Sequence, residues 1–457
     1  MNQAFDAIII GAGQAGPPLA GRLTAAGMKV AVIERKLFGG TCVNTGCTPT
    51  KTLVASAKVT EQVRRAAQFG VTIPGSPAVD MRAVMQRKDL VVENSRTGVE
   101  KWLRGMDRCT VYQGHARFVS ARAVQVGDTQ LSADRIFINA GGRALVPPFP
   151  GLDRVRYLTN TSLLDLDELP RHLVIVGGSY VGLEFAQIFR RFGSAVTVIE
   201  KNPRLISRED YDVSAAIESI FEREGIEVRT AAECIQFEPD QQRIATRVSC
   251  AAGAPTVLGS HVLLAVGRRP NTDDLGLDMA GVAVDGRGFV VVDDELRTNV
   301  PGIWALGDCN GRGAFTHTSY NDFEIVASNL LEGSTRKVTD RIPCYGLFID
   351  PPLGRVGLTE REARASGRRV RIASRPMTRV SRAIEKGETQ GFMKIIVDAD
   401  SAAILGASIL GVGGDEAVHS VLDTMNAKAP YETLEHAMHI HPTVAELIPT
   451  ILGELSP

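Results

Sequence analysis

Cys42 and Cys47 are the residues of this chain best placed to do chemistry. They stand in Gly39-Gly40-Thr41-Cys42-Val43-Asn44-Thr45-Gly46-Cys47-Thr48-Pro49-Thr50-Lys51. The Thr48-Pro49 step opens an apolar-periodic run of Leu53, Val54, Ala57, Val63, Ala66 and Ala67, which predicts a helix beginning near Cys47. A thiol at a helix N-terminus ionises readily because the macrodipole favours the anion, and a thiolate is both nucleophile and metal ligand. The pair therefore reads as a redox dithiol or as half of a metal site. The other five cysteines, Cys109, Cys234, Cys250, Cys309 and Cys344, are isolated and read as packing residues. No second close Cys or Cys/His pair completes a zinc set, so no resident metal is expected.

The elements that must position this pair are organised by an internal repeat. An apolar strand (Ala7-Ile8-Ile9-Ile10) runs into Gly11-Ala12-Gly13-Gln14-Ala15-Gly16, a helix, Gly27, a second strand (Val30-Ala31-Val32-Ile33) and Glu34. The pattern returns as Leu173-Val174-Ile175-Val176, Gly177-Gly178-Ser179-Tyr180-Val181-Gly182, a helix, Gly193, Val196-Thr197-Val198-Ile199 and Glu200. Gly11 and Gly177, Gly16 and Gly182, Gly27 and Gly193, and Glu34 and Glu200 share one offset of 166 residues. Each copy is a βαβ dinucleotide fingerprint: small residues let the backbone approach a pyrophosphate, helix N–H groups bind it, and the carboxylate accepts ribose hydroxyls. Two copies in register imply two dinucleotides. Pro17 and Pro18 fall in the first helical turn, where their missing N–H groups cost no intrahelical bond.

Composition narrows the partners. With 457 residues, 44% hydrophobic and 23% charged, the chain is long enough for several packed domains. A net charge of -1 argues against nucleic acid or an anionic membrane, both of which need a basic excess. Asp6 interrupts any leader-like start, and the charge-free stretches 7–21 and 401–414 are Gly-rich and shorter than a membrane span. The expectation is a soluble, cytoplasmic protein acting on small molecules or ions. Residues 117–138 alternate apolar and polar around Gly127-Asp128, as hairpin strands do. The turn Ile138-Asn139-Ala140-Gly141-Gly142 and the Pro147–Gly151 cluster mark a boundary, and from about residue 340 the pattern changes to strands followed by two helical stretches. Three domains are expected, the second inserted into the first.

Taken together, these motifs resemble the pyridine nucleotide-disulfide oxidoreductases, in particular the mercuric-reductase-like and dihydrolipoyl dehydrogenase-like flavoproteins. The resemblance rests on both fingerprints, the Cys42-x4-Cys47 loop, Gly267-Arg268-Arg269-Pro270-Asn271, the stretch from Thr298 to Gly307-Asp308, and the terminal His441-Pro442-Thr443-x-x-Glu446. It implies an α/β fold with two Rossmann-like dinucleotide-binding domains and a C-terminal α+β dimerisation domain. The implied FAD-binding domain covers 1–150 and 273–340, the NAD(P)-binding domain 151–272, and the dimerisation domain 341–457.

By the same resemblance FAD is held by Gly11, Gly13, Gly16, Glu34, Thr41, Lys51, Gly141 and Asp308, and the nicotinamide dinucleotide by Gly177, Tyr180, Gly182, Glu200 and Gly267. Glu200 favours NADH, because a carboxylate bonds a ribose 2′-hydroxyl and repels a 2′-phosphate; Lys201 and Arg204 could offset that repulsion and admit NADPH. Tyr180 resembles an aromatic gate over the flavin. Electrons would pass from NAD(P)H through the flavin to a Cys42–Cys47 disulfide, with Cys47 as the thiolate facing the flavin and Cys42 meeting the acceptor. Lys51 and Glu184 resemble an ion pair beside the flavin ring. His441 is the implied acid/base, oriented by Glu446, and acts in the partner subunit of a homodimer. No C-terminal cysteine pair follows Cys344, so a metal acceptor would have to meet Cys42 directly. Arg379 and Arg382 are candidates for an anionic substrate or for a solvated surface. The expected activity is reduction of a disulfide or metal ion; the alternatives are dihydrolipoyl dehydrogenase and a flavin-bound redox sensor without rapid turnover.

Overall fold

A computed structural model describes residues 2–75, 77–249 and 255–456. Cys250 lies outside the described residues, as does the side chain of Cys234. The strand Ala7–Ile10 is buried at every position and sits at the centre of a five-stranded parallel sheet. Its neighbours are Val30–Glu34 on one side and Arg135–Ile138 on the other, with Cys109–Gln113 and Ile303–Ala305 at the edges. A second five-stranded parallel sheet repeats the arrangement, with His172–Val176 between Ala195–Ile199 and His261–Leu264. The chain leaves the first sheet after Ile138, builds the second, and re-enters the first at Ile303. A third, antiparallel sheet of five strands spans Cys344–Leu347 to Ile404–Leu410 and is covered by the helices Gly414–Asn426 and Leu447–Leu452. Among the described residues no helix is long and apolar enough to cross a membrane.

Two local expectations need correction. The hairpin pattern around Gly127-Asp128 does form antiparallel strands, but it stops at Ser132. Arg135–Ile138 is a parallel strand with Ile136, Phe137 and Ile138 all buried, because a strand covered on both faces does not alternate. The Cys42 segment is not a loop: Gly40–Thr45 forms a short helix, and Cys47 is the first residue of the helix Cys47–Arg64. Gly39 and Gly40 both adopt positive φ to turn into the short helix. A Cβ on Gly40 would fall 2.7 Å from the Gly13 Cα, so the cysteine segment packs directly on the first fingerprint.

The helix Tyr180–Phe192 packs between the second sheet and the third. Its apolar face buries Leu183, Phe185, Ile188, Phe189 and Phe192. Glu184, Gln187 and Arg191 form a second, polar stripe at helical spacing, and all three are buried. Gln187 exchanges hydrogen bonds with the Asp350 backbone at 2.7 and 2.9 Å, while Arg191 pairs with Asp350 and Glu224 at 2.7 Å each. Buried polar groups are tolerable only when partnered in this way. The stripe locks the second fingerprint to the third sheet.

Candidate active site

The two fingerprints match at their first and last glycines, while Ser179 stands where the first has Gly13. Gly11 and Gly177 adopt positive φ, and an added Cβ would collide with the carbonyl oxygens of Asn139 and Ala265 respectively. Gly16 and Gly182 are closed off by the carbonyls of Gly11 and Gly177. Strand–helix packing alone therefore demands these four glycines. Gly13 is different, because a Cβ there would meet nothing closer than the Asn139 Nδ2 at 3.5 Å, an ordinary contact. Its lack of a side chain keeps open the cavity it lines, which suits close approach of a pyrophosphate. The Glu34 carboxylate accepts from the Ala12 and Lys36 N–H groups at 2.9 and 2.8 Å. Glu200 repeats both bonds, from Gly178 at 2.6 Å and Asn202 at 2.8 Å, and adds the Asn202 side chain at 2.6 Å. These bonds aim each carboxylate and leave it acceptor capacity for ribose hydroxyls.

Both cradles open onto one cavity of about 2110 Å³, well beyond the roughly 300–1,000 Å³ of an ordinary small-molecule site. Gly11, Gly13, Glu34, Thr41, Gly141 and Asp308 line one side, and Gly177, Tyr180, Glu200 and Gly267 the other. Cys42, Cys47, Lys51 and Glu184 line the same cavity. Lys51 Nζ donates to Glu184 at 2.7 Å, and the other Glu184 oxygen accepts from the Phe348 N–H at 3.0 Å. The ammonium also stands 4.5 Å from the centre of the Phe348 ring. The ion pair is thus built from three distant segments.

Both cysteines are free thiols here. The Cys47 sulfur is 3.2 Å from the Thr316 hydroxyl. Its pKa is lowered to about 6, first by the hydrogen bond from Cys42 and then by Thr316 and the nearby Lys51 charge, against the cost of burial. The Cys42 thiol is pushed strongly upward by the same bond, by burial and by the charge on Cys47. One proton therefore rests on Cys42 while Cys47 is the thiolate. Thr316→Val removes one donor, so the thiolate of the reduced enzyme should titrate with a midpoint above the parent value of about 6. A pH series following thiolate absorbance checks this, and an unmoved midpoint would show that Thr316 contributes nothing.

Sequence reasoning does not reach several residues of this site. Thr316 begins the helix Thr316–Glu332, far from any cysteine of the pair in sequence. Arg268 pairs with Asp308 at 3.2 Å and also donates to the Gly142 carbonyl. Asp322, buried and paired with Arg341, fixes the Asp308 turn by accepting from the Gly307 N–H at 2.7 Å and Asn310 at 2.9 Å. Lys201 lines the cavity, whereas Arg204 does not, so only Lys201 is placed to offset the Glu200 charge. Arg379 and Arg382 also lie off the cavity, and Arg382 pairs with Glu385 at 2.9 Å on the exposed surface. Cys309 is fully buried, with its thiol pushed up to about 12 by burial, as a packing cysteine should be.

His441 Nδ1 meets Glu446 at 2.9 Å, yet neither residue lines the cavity of its own chain. His441 is exposed, as are its neighbours Met438 and Ile440 at 99% and 80%. Such exposure of large apolar side chains marks a surface that meets another.

The pyridine nucleotide-disulphide oxidoreductase family matches over residues 5–322, and that family's dimerisation domain over 344–451. The chain belongs to this family. It is 37% identical to the probable pyridine nucleotide-disulfide oxidoreductase RclA of Escherichia coli over 98% of both chains. It is 34% identical to dihydrolipoyl dehydrogenase of Chlamydia muridarum, covering 98% of this chain and 96% of that one. Among solved structures, the Cu(II) complex of the HOCl-induced flavoprotein disulfide reductase RclA from Escherichia coli superposes with a TM-score of 0.90 at 35% identity, over 99% of each chain. Membership makes the chain an oxidoreductase and implies FAD and a pyridine nucleotide. The open floor at Gly13 and the aimed carboxylates of Glu34 and Glu200 fit both groups.

Proposed function

We propose that this chain is an NADH-dependent flavoprotein reductase that delivers electrons through Cys42 and Cys47 to a thiophilic acceptor, with Cu(II) as the first candidate. The observation that supports it most is Cys47, at a helix start, lining the one cavity onto which both dinucleotide cradles open. Bound FAD would take hydride from the nicotinamide and pass two electrons to the Cys42–Cys47 disulfide. Lys51, held by Glu184, supplies positive charge beside the Cys47 thiolate. Cys42 is the nucleophile toward the acceptor, because the sulfur stabilised as the resting thiolate is the weaker attacker.

Cu(II) is favoured because the E. coli relative is solved as a Cu(II) complex, and thiolates prefer Cu(I) among oxidation states. Two Cu(II) ions would each take one electron while the Cys42 thiol and Cys47 thiolate close to a disulfide and release one proton. On this reading the metal is a substrate taken by the cysteine pair, not a resident group. The His441–Glu446 pair supports a second reading, dithiol/disulfide exchange as in dihydrolipoyl dehydrogenase, since exchange needs a proton shuttle. Anaerobic reduction followed by turnover with Cu(II), Hg(II), glutathione disulfide and dihydrolipoamide/NAD separates these. Turnover on Cu(II) supports the first reading. Efficient turnover on the dithiol alone supports the second, and a thiolate–flavin charge-transfer band without turnover on any acceptor points to a sensor.

The nucleotide preference follows from Glu200. Its carboxylate is fixed by Gly178 and Asn202, and Lys201, next to it in sequence, also lines the cavity. Glu200→Ala should shift the ratio of kcat/KM for NADH over NADPH toward NADPH by about tenfold. An unchanged ratio would mean that another group reads the ribose.

A further inference from the structure

We propose that Glu209 is a positioning residue that holds the Tyr180 side chain closed by anchoring both of its neighbours, Arg208 and Phe315. The inference rests on reading Tyr180 as the gate between nicotinamide and flavin. Glu209 is 1% exposed, on the connection between the strand Ala195–Ile199 and the helix Tyr211–Arg223. Its carboxylate accepts from the Tyr345 hydroxyl and lies 3.4 Å from the buried Arg355 guanidinium, so both partners come from the third sheet. The Tyr345 ring is parallel to Phe315 with centroids 5.6 Å apart, and Phe315 in turn packs on Tyr180 at 5.5 Å. The adjacent Arg208 places its guanidinium 5.9 Å from the Tyr180 ring centre.

The connection is pinned at both ends. The Ile206 N–H donates to the Gly178 carbonyl at 2.8 Å, inside the second fingerprint. Asp210 accepts from the Glu360 and Arg361 N–H groups at 2.8 and 3.1 Å and from buried Lys394 at 3.0 Å. Between those pins Arg208 makes no ion pair among the described residues, and its cation faces the aromatic ring instead. Two of the neighbours of Tyr180 are therefore tied to Glu209, Arg208 through the chain and Phe315 through Tyr345. Moving Tyr180 aside breaks both contacts, so the clamp stabilises the closed position and raises the cost of admitting nucleotide.

Loosening the clamp should make nucleotide bind more tightly and leave the flavin less shielded, the opposite of what general damage would do. In the FAD-loaded enzyme, Glu209→Ala should lower the NAD+ dissociation constant, read by flavin fluorescence, about threefold and raise acceptor-free NADH oxidation in air about fivefold. Tyr345→Phe, which keeps the ring and removes the hydroxyl, and Arg208→Met should each move both quantities the same way by less. These two milder variants keep the test open if Glu209→Ala fails to fold. Arg208→Met added to Tyr180→Ala should change little more than Tyr180→Ala alone. If Tyr180→Ala moves both quantities while Arg208→Met and Tyr345→Phe move neither, the clamp is overturned. If Tyr180→Ala itself moves neither, the gate reading fails. A lower melting temperature or flavin content with unchanged NAD+ affinity would assign Glu209 a structural role only and also overturn the proposal.

Discussion

Cys42→Ser should cut turnover with a disulfide or metal acceptor by at least about a thousandfold while NADH still reduces the bound flavin. The two halves of that expectation come from different sulfurs. Cys47 begins the helix Cys47–Arg64 and touches Thr316, and it sits close enough to Lys51 to feel the ammonium charge. Those contacts survive removal of the Cys42 sulfur, so the Cys47 side of the site remains. On the proposed mechanism, what disappears is the group that closes the disulfide and attacks the acceptor; a serine hydroxyl neither forms that bond nor ionises near neutral pH. Serine keeps a hydroxyl donor there, whereas Cys42→Ala removes the hydrogen bond that most lowers the Cys47 pKa, so in Cys42→Ala the remaining thiol should titrate above the parent midpoint of about 6. Stopped-flow reduction, steady-state turnover and a pH titration read the three effects separately. Full turnover in Cys42→Ser would mean that the acceptor takes electrons from the flavin directly.

How much of this is legible in the sequence depends on whether a feature is local. The fingerprints can be read because each glycine answers a demand within one strand–turn–helix unit: Gly11 and Gly177 face carbonyls, and Gly16 and Gly182 face those same glycines. The Lys51–Glu184 pair forms across 133 residues, and it is reachable through family resemblance rather than spacing. Thr316, Arg268, Asp322 and the Glu209–Tyr345 contact are not reachable from residue types. They are ordinary polar residues whose meaning comes only from the fold that gathers them. Arg204 shows the converse: adjacency to Glu200 suggests a role, but the chain turns it away from the cavity while keeping Lys201 on the wall. The strand Arg135–Ile138 escapes the hairpin pattern because its burial on both faces removes the alternation that marks a half-exposed strand.

The polar contacts between the second and third sheets bear on function as well as stability. Buried Lys394 gathers Asp210, Asp212 and Glu360, and Arg191 gathers Glu224 and Asp350. Burying such charges is costly unless each is paired, and a pair's main return is a specified geometry rather than net stability. Here the specified geometry is the seating of the nucleotide-side connection 204–210 and the Tyr180 helix against the sheet that carries the dimerisation domain.

The second large effect is expected at His441, and its test also decides where that residue works. If His441 moves a proton on the Cys42 side, His441→Ala should reduce disulfide or metal turnover by about a hundredfold or more, with flavin reduction by NADH preserved. His441 does not line the cavity of its own chain, and it stands exposed beside Met438 and Ile440. If it serves the other active site of a homodimer, inactive Cys42→Ser and His441→Ala chains should complement each other when unfolded together and reassembled. In a mixed dimer the site with intact cysteines comes from the His441→Ala chain, and it receives the intact His441 of the partner subunit. The other site lacks both groups. Random pairing makes about half of the dimers mixed, with one working site in two, so the mixture should regain about a quarter of parental turnover. A histidine acting within its own chain cannot complement at all, since every intact dithiol would then share its chain with the alanine substitution. Reassembly yielding mixed dimers by mass but no recovered turnover would remove His441 from the partner's site.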